Sequence, residues 1–125
     1  KKLNPDWIRK GINDQAIEWS QEFAKYLAPE NRGDRNALTT SQLRKFFGQL
    51  RRIEADYEKL NGEIPMLKPK LAYAVGKAGN YSRIRDFYDQ MNIGLSAIDN
   101  SKENFNRFIS LTESIVAFHK FHGGE

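Results

Sequence analysis

The sequence predicts an all-α protein, a compact bundle of about five helices folded as a single domain over residues 1–125. Three observations carry that reading. Apolar residues recur at three- and four-residue spacing through most of the chain, which places one buried stripe after another on helices. The breaks between these stretches are short and rich in Pro, Gly, Asn, Asp and Ser, the residues that stop helices and turn the chain. No stretch alternates apolar and polar residues as a half-buried strand does.

Taken in order, the first helix is expected to start from Asp6 or Asp14 as its cap and to stop at Pro29. Ile17, Phe23, Tyr26 and Leu27 supply its apolar stripe, helped by Ala16, Trp19 and Ala24. Residues 29–38 (PENRGDRNAL) are polar and turn-rich and read as an exposed loop. Arg32 and Arg35 lie on it, either simply solvated or as a flexible basic lip beside the next helix.

The second helix, Thr39 to Asn61, is the most clearly marked. Thr39 and Gln42 form a capping box at its start, and Asn61-Gly62 is a good C-terminal pair. Leu43, Phe46, Phe47, Leu50, Ile53, Tyr57 and Leu60 fall on one stripe. Ile64, Pro65 and Met66 bridge to a third helix, from about Met66 to Ala78, closed by Gly79-Asn80. Pro69 is tolerated only in a first turn, which sets the start of this helix. Its expected buried face is Leu67, Leu71, Ala74, Val75 and Ala78. A fourth helix runs from Tyr81 to about Asp99 on Ile84, Phe87, Tyr88, Met91, Leu95 and Ile98. Ser101 caps a fifth that reaches about His119, with Phe105, Phe108, Ile109, Thr112, Ile115, Val116 and Phe118 inside and Gly123 as its stop.

The polar face of the second helix carries the functional signal. At about 100° per residue, Ser41, Arg44, Lys45, Gly48, Arg51, Arg52, Ala55 and Lys59 share one arc. That arc holds five cations and no carboxylate, with Glu54, Asp56 and Glu58 beyond its edges. A mid-helix glycine costs about 1 kcal/mol relative to alanine. Gly48 therefore relieves a tight helix crossing or leaves room for a phosphate backbone. On the third helix Lys70, Tyr73, Lys77 and Asn80 share a face. Two lysines flanking a tyrosine suit a phosphate, with the phenol donating a hydrogen bond or stacking on a base. A net charge of +4 and a pI of about 9.4 lean the same way. A solvated basic face is the plain reading of such an arc; nucleic-acid contact is the functional one, and the segregation of sign is cleaner than solubility requires.

Other chemistries find little support. The chain has no cysteine, so disulfides and thiolate–metal sites are excluded, a composition that suits the cytoplasm. No apolar run approaches the ~18 residues of a membrane span, and no secretory leader is visible. A basic amphipathic helix can lie on a membrane surface, but here the bundle needs the apolar stripe for its own core, so no membrane partner is expected. His119 and His122 stand three apart without a third ligand, so no metal is expected; each reads as a surface residue facing the last helical carbonyls. No phosphate-binding, dinucleotide-binding, nucleophile-elbow or zinc-protease motif is present, so neither an enzyme nor a cofactor is expected.

Three segments carry a family resemblance: LTTSQLRKFFGQL at residues 38–50, LKPKLAYAVGK at 67–77, and FNRFISLTESIVAFHKFHGG at 105–124. They match, in order, a TSQ-hydrophobic-R-[KR] helix start, a hydrophobic-x-P-[KR]-L-x-Y helix, and a closing helix ending E-[AS]-[IV]-hydrophobic-[AG]-[FY]-[HK]. In these segments, about a third of the chain, it resembles the small helical subunit of type III-A CRISPR (Csm) effector complexes. The resemblance implies a non-catalytic bundle, present in several copies along the belly of a ribonucleoprotein filament. It would face guide RNA and target RNA, beside backbone and large subunits that hold the nuclease and cyclic-oligoadenylate activities. Contact would be with the sugar–phosphate backbone, since base pairing reads the sequence.

Carried over by position, the family's basic residues fall on Arg44, Lys45, Lys70 and Lys77. Arg51 and Arg52 join them from the helix face, Lys68 as a neighbour of Lys70, and Tyr73 from the third helix. Neighbouring copies are expected to stack through less charged surfaces that include the first and last helices. The rival reading is a protein–protein adaptor whose basic face docks an acidic partner. A small DNA-binding bundle would need a recognition helix after a tight turn, and no pair of helices here is clearly joined that way.

Overall fold

The computed structural model describes residues 1–79 and 82–124. Asn80, expected on the third helix's basic face, and Tyr81, the expected start of the fourth helix, lie outside them. The elements are α1 (Asp6–Arg9), α2 (Asp14–Leu27), α3 (Thr40–Ala55), α4 (Tyr57–Leu60), a 3-10 stretch (Asn61–Met66), α5 (Leu67–Ala78), α6 (Ile84–Ser96) and α7 (Lys102–Phe121). Among the described residues there is no strand. The five longer helices are the five that the periodicity predicts.

The expected first helix is two. α1 is a single turn, and α2 starts after an extended Asn13 whose side chain accepts from the Ala16 N–H at 2.9 Å. Asn13, not Asp14, is therefore the cap; Asp14 sits in the first turn, where its charge suits the helix dipole. α2 ends because Ala28 precedes Pro29 and is extended (φ −73°, ψ 157°). Its buried face is Ala16, Trp19, Ser20, Ala24 and Leu27, while Ile17 and Tyr26, expected inside, are exposed. Small residues let α2 approach α7 closely, and the buried Ser20 hydroxyl is satisfied by the Ile17 carbonyl (2.7 Å) and the Ser114 hydroxyl (2.6 Å).

The central element is α7, against which α1, α2, α3 and α6 all pack. Phe105, Phe108, Leu111 and Ile115 are fully buried along it. Arg107 donates to the Ile8 and Arg9 carbonyls (3.3 and 3.2 Å) at one end, and His119 meets the Leu38 carbonyl (2.8 Å) at the other. With the Ser20–Ser114 contact between them, α2 and α7 run side by side in one direction. The Ser101 side chain accepts from the Asn104 N–H as expected, and α7 runs two residues past His119 to Phe121 before Gly123 (φ 92°) turns the chain.

Two expectations about polar surfaces change. His119 is buried rather than on the surface. The 29–38 loop is anchored at Asp34 and ends inside the protein, since Ala37 and Leu38 are buried. Arg83, which sequence reasoning did not single out, holds the loop down. Its guanidinium donates to the Ala28 carbonyl (3.1 Å) and the Asp34 carboxylate (2.9 Å), and its backbone N–H to the Asn36 carbonyl (2.8 Å). Backbone N–H groups of Glu30 and Asn36, then Arg83, hold the Asp34 carboxyl below its ordinary pKa. Arg32 and Arg35 remain exposed on this tethered loop.

α3 is shorter than expected. Its capping box is present, with the Thr39 Oγ1 accepting from Gln42 N (3.0 Å) and Gln42 Oε1 from Thr39 N (2.9 Å). It ends at Ala55 because Asp56 takes a non-helical backbone (φ −141°, ψ 56°), a residue type that competes poorly inside helices. The Asp56 carbonyl then starts a new turn by accepting from Lys59 and Leu60. Asn61-Gly62 lies within the 3-10 stretch and ends no long helix; Asn61 instead reaches back to the Tyr57 carbonyl (2.8 Å). α5 begins at Leu67 with Pro69 in its first turn, as expected. Leu67 and Leu71 are buried, Ala74 and Val75 half-buried, and Ala78 is exposed instead of buried. α6 is also shorter than expected, Ile84–Ser96, and a left-handed pair, Asp99 (φ 52°) and Asn100 (φ 58°), links it to α7.

Candidate nucleic-acid interface

The face expected to be basic is set by what α3 buries. Leu43, Phe46, Leu50 and Ile53 turn inward, and Phe46 meets Phe87 of α6 and Phe108 of α7 edge-on (5.4 and 6.3 Å between ring centres). Ser41, Arg44, Lys45, Gly48, Arg51, Arg52 and Ala55 are left exposed as a consequence, while Lys59, expected on the same arc, is exposed on α4 beyond the break at Asp56. At roughly 1.5–3 kcal/mol per buried large apolar side chain, four such anchors hold α3 firmly. α5 has two, Leu67 and Leu71, and packs mainly on α6 and the 3-10 stretch.

Because α3 and α5 scarcely touch each other, a groove of about 750 Å³ opens between them. Phe46, Leu71, Ala74 and Ile84 are among its apolar lining, with Met66 and Pro69 at the start of α5. Lys45 lines it from α3 and Lys70, Tyr73 and Lys77 from α5. Four of the expected site residues are thus brought around one cavity. Gln49, Met66 and Pro69 join them, although no local signal marks these three as site residues. The groove exists only because the chain reverses after Asp56, and that is a tertiary event.

The other four expected residues lie outside the groove, and three have partners. Arg51 pairs with Glu54 (3.2 Å) and lies over the Phe47 ring, 5.9 Å from its centre. Arg52 pairs with Glu63, whose carboxyl it holds below the ordinary range. Lys68 is half-buried and donates to the Ser96 hydroxyl at 2.8 Å. The arc that is free of carboxylates on a helical wheel is therefore not free of them in space. Surface pairs of this kind are worth little and exchange easily. Arg44, Lys45, Lys70 and Lys77 have no described carboxylate within ion-pair distance.

Gly48 is not packed against another described element. A Cβ added there meets nothing within 4 Å, so no helix crossing requires the glycine. Gly48→Ala is expected to raise stability by about 0.5–1 kcal/mol in urea denaturation, through helix propensity alone. A destabilised variant would mean that the residue is packed after all.

Among the described residues no three His, Asp or Glu side chains come together as metal ligands, and no helix is long and apolar enough to cross a membrane. The sequence profile of the Csm2 Type III-A family matches residues 13–125. The protein named "CRISPR system Cms protein Csm2" from Streptococcus thermophilus is 27% identical over 120 residues, covering 90% of this chain and 95% of that one. No solved structure matches the chain. On the family match, which spans nearly all of the helical bundle, the chain belongs to the Csm2 family, the small subunits of type III-A CRISPR effector complexes.

Proposed function

We propose that this chain is a non-catalytic subunit lining an RNA-guided type III-A effector in the cytoplasm, with the α3–α5 face laid along the sugar–phosphate backbone of guide and target RNA. The observation that carries this reading is the cluster of Lys45, Lys70 and Lys77 around one open groove, with Arg44 exposed next to Lys45 on α3, none of the four having a described carboxylate within ion-pair distance. Cations held near each other and left unneutralised favour a polyanion, and backbone contacts of this type carry no sequence information. Backbone and large subunits of the complex and neighbouring copies of the chain are its protein partners. One copy makes few contacts, so isolated binding is weak and avidity along the assembly supplies the rest.

The test is binding of the isolated protein to labelled single-stranded and duplex RNA across a salt titration. Arg44→Ala with Lys45→Ala is expected to lower affinity about tenfold, and to reduce the salt slope by about 0.7–0.9 for each lost contact. Gly48→Ala is expected to weaken binding while stabilising the fold, because its methyl group stands where the backbone would approach. RNA binding that ignores both salt and the double substitution would move the contact off α3. No RNA binding by wild type, alone or in the assembled complex, would leave the protein–protein adaptor as the better reading.

A further inference from the structure

A track for phosphates needs charge and a clear approach; it does not need an apolar floor. The groove between α3 and α5 has one. Met66 is 52% exposed and Tyr73 73% exposed, two large side chains held in water at its edge. Tyr73 sits between Lys70, three residues before it, and Lys77, four after, so cations stand on both sides of its ring along one helix face. Among the described residues no carboxylate lines the cavity. The rim of α5 is also bare at Gly76, where an added Cβ would meet nothing within 4 Å.

We propose that this groove takes unpaired RNA nucleotides, their bases against the Met66, Pro69 and Tyr73 surface and their phosphates on Lys45, Lys70 and Lys77. The proposal rests on the RNA reading above and narrows it from backbone contact in general to single-stranded RNA. A paired duplex keeps its bases stacked inside and offers this face only ribose and phosphate, which leaves the apolar floor wet. An unpaired strand offers a π-face with every phosphate, and an aromatic platform beside a positive groove is the arrangement that holds one. An acidic protein segment would also satisfy the lysines, yet it gives an exposed aromatic ring between two cations no particular use.

The experiment compares three fluorescent RNA probes of equal length at one salt concentration, single-stranded oligouridine RNA, the same strand with abasic riboses, and an RNA duplex, with fluorescent poly-glutamate as the acidic-peptide control. Each is titrated with wild type, Tyr73→Ala and Arg44→Ala. Tyr73 is mostly solvent-exposed, so its replacement leaves the fold intact, which a thermal melt checks. The expected result is single-strand binding about tenfold tighter than duplex. Tyr73→Ala should weaken the base-bearing strand about 5–10-fold and leave the abasic strand unchanged, while Arg44→Ala weakens all three. Equal loss on base-bearing and abasic strands, or no loss on either, overturns the groove proposal while RNA contact stands. Absence of binding to every RNA probe, by the isolated protein and in the assembled complex, overturns both, and binding of poly-glutamate in their place assigns the groove to an acidic protein segment.

Discussion

Gly94→Ala is expected to lower stability by about 2 kcal/mol, read as a fall in the urea midpoint at unchanged slope. A Cβ built on Gly94 would lie 2.5 and 2.7 Å from two ring carbons of Phe108 and 3.4 Å from Leu3. Phe108 is fully buried and packs edge-on against Phe46, so its ring has nowhere to move without disturbing α3. Helix propensity returns about 1 kcal/mol to the alanine, and the overpacking must exceed that gain. Phe108→Leu combined with Gly94→Ala should recover part of the loss relative to the sum of the two single changes, since both act on one contact. A Gly94→Ala protein more stable than wild type would show that α6 does not cross α7 this closely. Gly48 and Gly94 are both glycines inside helices, and the same substitution should move them in opposite directions.

Those two glycines also mark what was legible in advance. The longer helices, the Thr39 capping box and the Ser101 cap are written locally, in spacing within one turn and in the residue types at its ends. The break at Asp56 is not, because Ile53, Tyr57 and Leu60 keep helical spacing across it. What competes with that spacing is contact: Tyr57 packs against Phe105 (5.7 Å between ring centres), and Lys102 lies over the Tyr57 ring at 5.4 Å. The basic residues of α3 could be assigned to an outer face from the apolar stripe alone. Which of them stay unpaired depends on Glu63, eleven residues beyond Arg52 and on another element, so helical-wheel reasoning could not supply it. The groove has the same origin. Lys45 and Lys77 share it because two helices far apart in sequence are held side by side without packing, and neither helix encodes that by itself. Arg83 shows the reverse case, a cation that reads as surface charge and is mostly covered because a loop closes over it.

His119→Gln is expected to flatten the acid side of the stability profile and to cost about 1–3 kcal/mol at neutral pH if the amide fails to replace the imidazole's hydrogen bond. His119 is 1% exposed, and its Nε2 lies 2.8 Å from the Leu38 carbonyl. A carbonyl can only accept, so Nε2 carries the proton and the neutral ring leaves Nδ1 without one. Burial, chiefly, pushes the His119 pKa below its ordinary value; the Leu38 hydrogen bond opposes this, and Lys120 adds to the depression. The sign follows. Below the unfolded histidine value of about 6.5 the unfolded chain takes up a proton that the folded chain refuses. The stabilisation is therefore complete above that pH and is lost as pH falls toward the depressed folded value. The carboxylates of Asp34 and Glu63, held low in the fold, lose their contributions only at more acidic pH, below the ordinary carboxylate range. Urea midpoints measured from pH 7.5 down to about 5 should decline in wild type and stay nearly level in His119→Gln. Equal declines in the two proteins would assign the titration elsewhere. The contact matters beyond its own energy, because Leu38 is the residue before the Thr39 cap. Losing the imidazole removes the tie by which α7 holds the start of α3, the helix that carries Arg44 and Lys45.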